Sequence, residues 1–184
     1  MRRNLFIAAL LGCLVIGGAT AAFAQMIPEV RPFAGAFVPT GKQRDVLKDT
    51  WMIGAQGGVE MAQRLHAIAT LAWAANPGGN DPSVFDYNAG IEAFQPIDMS
   101  MNWQVRPFAG LGLGARTYVG HGDNTGSETQ FAGYGALGTE FQIRRIALRI
   151  EGRDYLSRFK GLNGTDRART GNDLTFSGGV AFHW

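Results

Sequence analysis

The stretch WQVRPFAGLGLGAR, residues 103–116, decides the fold because its side chains alternate in character. Every second residue from Trp103 to Ala115 is apolar, whereas the intervening positions hold two arginines, three glycines, a glutamine and a phenylalanine. A repeat of two residues is the period of a β-strand, whose successive side chains point to opposite faces. The apolar face is long enough for a bilayer, which a tilted β-strand crosses in about 9–11 residues. The stretch therefore predicts a membrane-spanning strand with one lipid face and one polar face.

The same alternation recurs along the chain and predicts eight strands. Every backbone polar group inside a bilayer must be paired, so strands of this kind have to close into a barrel. We therefore predict an all-β fold, an eight-stranded antiparallel transmembrane β-barrel with up-and-down meander order. The predicted strands cover residues 28–38, 51–61, 65–75, 84–95, 103–117, 130–142, 145–156 and 173–184.

The connections alternate between two kinds. Shorter turns are predicted at residues 62–64, 96–102 and 142–144, and longer polar loops at 39–50, 76–83, 118–129 and 157–172. Barrels of bacterial outer membranes have short periplasmic turns and longer extracellular loops. This pattern and the even strand count predict an outer-membrane location with both termini in the periplasm.

Residues 1–24 have the pattern of a signal peptide, which leaves residues 25–184 as the barrel domain. Two arginines precede an apolar run, and Ala22-Phe23-Ala24 forms a cleavage site between Ala24 and Gln25. The alternatives are a lipoprotein signal at Cys13 and an uncleaved anchor helix. Cleavage would remove the only cysteine and two basic residues, leaving 15 basic against 15 acidic residues. Such a balance does not favour binding to nucleic acid.

The gross composition agrees with a barrel. Charged residues make up 17% of the 184 residues, below the roughly 25% of ordinary soluble domains, and the chain holds 26 glycines. The mean hydropathy is −0.04. Strands that alternate between a lipid face and a polar face would give such a neutral average.

Two internal repeats suggest two similar four-stranded halves. The hexapeptide Val30–Gly35 recurs letter for letter as Val105–Gly110, on the first and fifth predicted strands. Since proline disfavours strand interiors, Pro32 and Pro107 are expected near strand starts at the periplasmic rim. A looser repeat of glycine, any residue and glutamate covers residues 58–60, 90–92 and 138–140.

The chain resembles the small eight-stranded outer-membrane barrels, the class of OmpX and the transmembrane domain of OmpA. Its C-terminus carries the sharpest likeness, because Ser177, Gly179, Phe182 and Trp184 match the terminal signal by which such barrels are recognised for assembly. The resemblance implies outer-membrane lipids and the outer-membrane assembly machinery as partners. It identifies no partner for the extracellular loops.

The strand phases place many charges inside the predicted barrel. Charges in a narrow lumen need partners, so we predict a hydrogen-bonded ion-pair network that plugs it. The alternative is a gated channel or a ligand site. The network is predicted to contain Arg31, Glu60, Glu92, Arg106, Arg116, Glu140, Arg149, Glu151 and Arg153, with Asp86 and Asp173 on the same inner face.

No catalytic, cofactor or metal site is predicted. His66 and His183 fall on the inner face but are isolated, and no spacing ties His121 to Ser157. The aromatic residues near strand ends are expected to form interfacial girdles. They are Trp51, Trp73, Tyr87, Trp103, Tyr118 and Trp184.

Two functions remain open at this point. The first is a structural role in envelope integrity, or a surface-interaction role, for a barrel with a plugged lumen. The second is a narrow, porin-like pore or transporter for small solutes or apolar molecules. Lipid-modifying enzymes of this shape form a third class, but the sequence carries no arrangement that predicts catalysis.

Overall fold

A computed structural model describes residues 28–41, 44, 47–75, 82–100, 103–120, 126–159 and 169–183. The predicted signal peptide, its cleavage site at Ala24 and Gln25, and the terminal Trp184 lie outside these residues. Among the described residues, no helix is long and apolar enough to cross a membrane.

Within the described residues, nine strands form one antiparallel sheet, and eight of them close it into a barrel. The ring runs β4-β3-β2-β1-β9-β8-β7-β6, and β4 pairs with β6 to complete it. This confirms the predicted eight-stranded meander. The strands are β1 (Pro28–Pro39), β2 (Thr50–Ala62), β3 (Leu65–Ala74), β4 (Ser83–Phe94), β5 (Ile97–Ser100), β6 (Trp103–Val119), β7 (Ser127–Ile143), β8 (Ile146–Phe159) and β9 (Arg169–His183).

The short strand β5 lies where a plain turn was predicted. Among the strands that the structure describes, it pairs with β6 alone, through Ile97 opposite Val105 and Asp98 opposite Gln104. The first residues of β6 extend past the end of β4, so their backbone groups are free to pair with the returning chain. The strand therefore lengthens one hairpin without joining the ring.

The two ends of the barrel differ, and we name them by their connections. At the turn end, β2 joins β3 through Gln63 and Arg64, and β7 joins β8 through Arg144 and Arg145. Arg64 and Arg144 adopt positive φ angles of 73° and 58°, which tight two-residue turns require. The loop end is opposite, where β1 leads to β2, β3 to β4, β6 to β7 and β8 to β9.

The strands of the β6–β7 and β8–β9 hairpins run further toward the loop end than predicted. The β6–β7 pairing continues to Val119 opposite Ser127, and the hydroxyls of Thr117 and Thr129 lie 2.8 Å apart. Beyond the apolar band the outward residues turn polar, which breaks the alternation in hydrophobicity. Backbone pairing does not depend on that alternation, so the hairpin continues.

The two faces of the wall have opposite character. Outward side chains are large, apolar and exposed, as with Leu111 at 63% and Leu137 at 70%. Inner glycines make room for aromatic rings that lie across from neighbouring strands. A Cβ atom on Gly112 would overlap the ring of Tyr134, and one on Gly138 would overlap the ring of Phe108.

Candidate functional site in the barrel lumen

Among the residues that the structure describes, eleven charged residues are buried in the lumen, five arginines and six carboxylates, each no more than 8% exposed over the whole residue. Every strand of the ring except β2 and β3 contributes at least one. They are Glu29, Arg31, Asp86, Glu92, Arg106, Arg116, Glu140, Arg149, Glu151, Arg153 and Asp173.

Arg149 of β8 lies at the centre of the network. Its guanidinium donates to Glu140 at 2.7 Å, to Glu92 at 2.5 Å and to Glu151 at 2.6 Å. Its charged carbon also lies 3.6 Å from the centroid of the Phe108 ring. One arginine therefore ties together carboxylates from β4, β7 and β8.

Arg31 of β1 makes a second bridge across the lumen. It donates to Glu92 at 2.8 Å and to the amide oxygen of Gln56 at 3.2 Å, and it also pairs with Glu29. Its Nε atom lies 3.7 Å from Glu140. Glu92 and Glu140 are thus each shared between Arg31 and Arg149.

Arg153 extends the network toward the middle of the barrel. It pairs with Glu151 and donates at 3.1 Å to both Thr70 and Asn88. Its charged carbon lies 4.5 Å from the centroid of the Tyr134 ring. The guanidinium therefore joins β8 to β3 and β4.

A second, smaller cluster lies nearer the loop end. Arg116 pairs with Asp86 and donates to Asp173 at 2.5 Å. The aromatic rings of Phe37 and Tyr155 lie on its charged carbon at 5.3 Å and 4.1 Å. One cation is held here between two carboxylates and two rings.

An apolar cluster fills the lumen above this arginine. Its buried members come from β1, β2, β3, β4 and β6 and from the β1–β2 connection, and they are Phe37, Leu47, Met52, Ala72, Ala74, Val84 and Tyr118. The prediction of Tyr118 as a girdle residue is wrong, because its side chain is fully buried. Its even position in β6, in phase with Arg116, already points inward. Trp51, Trp73, Tyr87 and Trp103 are exposed on the outer wall.

The turn end of the lumen carries a histidine on either side of Glu29. Nδ1 of His66 lies 2.8 Å from one carboxylate oxygen, and Nδ1 of His183 lies 3.3 Å from the other. Arg106 approaches the opposite nitrogen of His66 at 3.3 Å. Among the described residues, no three ligating side chains are arranged to hold a metal ion.

Eight of the nine predicted network residues lie in these clusters, and the ninth does not. Glu60 is half-buried and forms no ion pair with any described residue. It lies beyond the level at which β1 begins, since Pro28 is already opposite Val59. Glu29 takes its place in the network.

Glu29, Gln56 and His66 are network members that the prediction missed. Glu29 precedes Arg31 by two residues, so strand phase alone could have assigned it to the inner face. Gln56 and His66 are inward by the same rule. Strand phase determines which face of the wall a residue occupies. It does not determine which partner a long side chain reaches across the lumen.

The residues of the predicted assembly signal lie along β9 where the structure describes them. Phe182 faces outward and is 40% exposed, whereas Ser177 and Gly179 lie on the opposite face. A Cβ atom on Gly179 would lie 2.6 Å from the carbonyl oxygen of Pro32. Gly179 therefore also has a packing role in the β1–β9 seam.

Two solved structures with this architecture are similar to the chain. The neisserial surface protein NspA matches with a TM-score of 0.59 and 12% identity, over 84% of this chain and 96% of NspA. The N-terminal barrel of Pseudomonas aeruginosa OprF matches with a TM-score of 0.58 and 10% identity, over 85% of this chain and 97% of that domain. No family model and no curated protein matches the sequence. The chain has the fold of the small eight-stranded outer-membrane β-barrels.

Proposed function

We propose that this chain is an outer-membrane barrel with a closed lumen, and that it serves envelope integrity or a surface interaction rather than solute passage. The observation that carries the proposal is the filling of the lumen. Ion pairs occupy it from the turn end to its middle, and an apolar cluster occupies the loop end. An eight-stranded barrel has an interior just wide enough for side chains to fill.

The balance of charge supports a plug. Around Arg149, four arginines meet four glutamates, and each of these glutamates lies within ion-pair distance of at least one arginine. Each of the five lumen arginines also lies on an aromatic ring, a contact worth about 0.5–2 kcal/mol. Charges that are paired in this way avoid most of the cost of burial without a column of water.

The outer wall supports the membrane location. Large apolar side chains are exposed on every strand of the ring, an arrangement that lipid would cover. Trp51 and Trp73 meet edge to face at 5.7 Å and lie near the loop end, as girdle residues do.

We infer the orientation of the barrel in the membrane from the chain termini and the short turns at the turn end. The start of β1 and the end of β9 pair there, with Glu29 opposite His183, beside the two-residue turns. We place this end in the periplasm, with the loop end at the cell surface. The signal peptide, the assembly machinery and a loop partner belong to the same proposal, which includes no catalytic step.

Single-cysteine labelling tests location and orientation. The only cysteine is Cys13, so a variant that has lost its signal peptide reacts only at the introduced position. With a membrane-impermeant maleimide, Gly126→Cys at the loop end should label on intact cells, and Arg145→Cys at the turn end only after lysis. Labelling of Arg145→Cys on intact cells would contradict the orientation.

A deletion strain tests the role. Loss of the barrel should raise sensitivity to detergent and leave the uptake of small hydrophilic solutes unchanged. Expression of the Arg44→Ala variant, which removes only an exposed ion pair with Asp49, should restore resistance as well as the parent does. Slower solute uptake in the deletion strain would instead favour the pore.

A further inference from the structure

The contact between His66 and Arg106 fixes the protonation state of the histidine. Nη2 of Arg106 lies 3.3 Å from Nε2 of His66, and a guanidinium only donates hydrogen bonds. Nε2 must therefore accept, so the single ring proton lies on Nδ1. From there it is donated to Glu29, 2.8 Å away. The neutral imidazole with its proton on Nδ1 is the form that fits this site.

A second proton on His66 cannot coexist with this contact. It would set an N–H of the imidazolium against an N–H of the guanidinium and place two like charges side by side. Histidine is the side chain that ordinarily changes charge between about pH 5 and 8. A proton gained by Nε2 of His66 would therefore act on the contact directly.

Arg106 is held less tightly by carboxylates than the other four lumen arginines are. Its ion pair with Glu140 is long, at 3.5 Å, and its best hydrogen bond goes to the amide of Gln142 at 2.9 Å. Its side chain is 10% exposed, whereas the other four lumen arginines are 1–3% exposed. It lies at the turn end, with solvent nearby.

The departure of Arg106 would leave no carboxylate unpaired. Glu140 keeps Arg149 at 2.7 Å and Arg31 at 3.7 Å. The positive charge lost with Arg106 is replaced by the charge gained on His66, next to Glu29. The exchange therefore preserves the charge of the cluster, which avoids the cost of a buried unpaired ion.

We propose that His66 is a proton-binding switch at the turn end, where its protonation releases Arg106 and loosens one layer of the plug while the pairs around Arg149 persist. This inference rests on the plugged lumen of the proposed function. The charged and titratable groups that surround the switch come from seven strands besides β3. They are Glu29 and Arg31 of β1, Glu60 of β2, Glu92 of β4, Arg106 of β6, Glu140 of β7, Arg149 of β8 and His183 of β9.

Nitrogen NMR of the refolded barrel in detergent tests the switch without any variant. At neutral pH the ring of His66 should carry its single proton on Nδ1, and acidification should place a second proton on Nε2. Exchange of guanidinium protons with water is base-catalysed and slows in acid, so each rate is divided by that of free arginine at the same pH. On this scale, the Arg106 protons should exchange at least about tenfold faster after acidification, as in a local opening. A proton on Nε2 at neutral pH would overturn the proposal. So would a ring that stays neutral after acidification, or an Arg106 that stays protected beside a doubly protonated ring.

Two matched variants test whether His66 or His183 is the residue that controls Arg106. His66→Gln keeps an uncharged donor and acceptor. Exchange of the Arg106 guanidinium protons, relative to free arginine at the same pH, should therefore no longer accelerate in acid. His183→Gln, on the other oxygen of Glu29, should retain the acceleration. The reverse result would assign the switch to His183 and overturn the proposal.

Conductance distinguishes failure of the switch from failure of the plug. A barrel that conducts steadily at neutral pH would refute the closed lumen itself. A barrel that is closed at neutral pH, but whose Arg106 does not respond to protonation of His66, would refute only the switch.

Discussion

Glu140 shows how a buried carboxylate is held at the scale of one residue. It is fully buried and is approached by Arg149 at 2.7 Å, Arg106 at 3.5 Å and Arg31 at 3.7 Å. Three cations from three strands therefore share one anion. Removal of the anion would leave all three with one partner fewer in a site that excludes water.

Glu140→Ala should consequently lower the free energy of unfolding of the detergent-folded barrel by about 3–5 kcal/mol. The matched control is Glu60→Ala, since Glu60 is half-buried and outside the network, and its effect should stay within about 0.5 kcal/mol. Urea unfolding followed by tryptophan fluorescence measures both. Equal losses for the two variants would contradict the assigned network.

Strand phase predicted the network charges of β4, β6, β7 and β8, because a period of two determines which face a side chain occupies. It could not predict which charges meet, since height in the barrel depends on register and shear. Glu60 has the right phase but lies too close to the turn end. The aromatic rings beneath the arginines were missed for another reason: an inward Phe or Tyr breaks the polar pattern.

At the scale of one element, β7 has two glycine faces with different roles. Gly138 lies inside, where a Cβ atom would overlap the ring of Phe108 and the backbone of Ile150. Gly135 lies on the outer face, and a Cβ atom there would meet nothing within 4 Å. The same residue type is thus required by packing at one position and not at the other.

Gly138→Ala should destabilise the barrel by about 1–3 kcal/mol through overpacking, whereas Gly135→Ala should be nearly neutral. The urea midpoint of each refolded variant reports the difference. A neutral Gly138→Ala variant would show that Phe108 has room to move, and the tight inner packing would then be wrong.

Changes at the end of β9 test the predicted role of the C-terminal signal in outer-membrane assembly. Deletion of Trp184 should lower the yield in the outer membrane and direct the chain to periplasmic proteolysis. Phe182→Ala should act in the same direction, since this side chain faces outward at the end of β9. Quantitative blotting of membrane fractions measures both. Normal insertion of the truncated chain would contradict use of the terminal signal.

At the scale of the whole molecule, the predicted topology was correct because a bilayer leaves few alternatives. Alternation gave the strands, and the need to pair every backbone group gave the closed ring. The prediction missed β5 and the extension of β6, β7, β8 and β9 toward the loop end. Both depend on backbone pairing outside the apolar band, where side-chain character carries no signal. The proposed closed lumen agrees with the size of the ring, since the interior of an eight-stranded barrel is just wide enough for side chains to fill.

Conductance in a planar bilayer tests the closed lumen most directly. The parent barrel should show no steady open state at neutral pH. The double variant Glu140→Ala/Arg149→Ala removes one anion and one cation from the centre of the plug, and its conductance should exceed that of the parent. The conductance of this variant is also the insertion control, because it shows that barrels prepared in the same way enter the bilayer. A large, stable conductance of the parent barrel would contradict the plug.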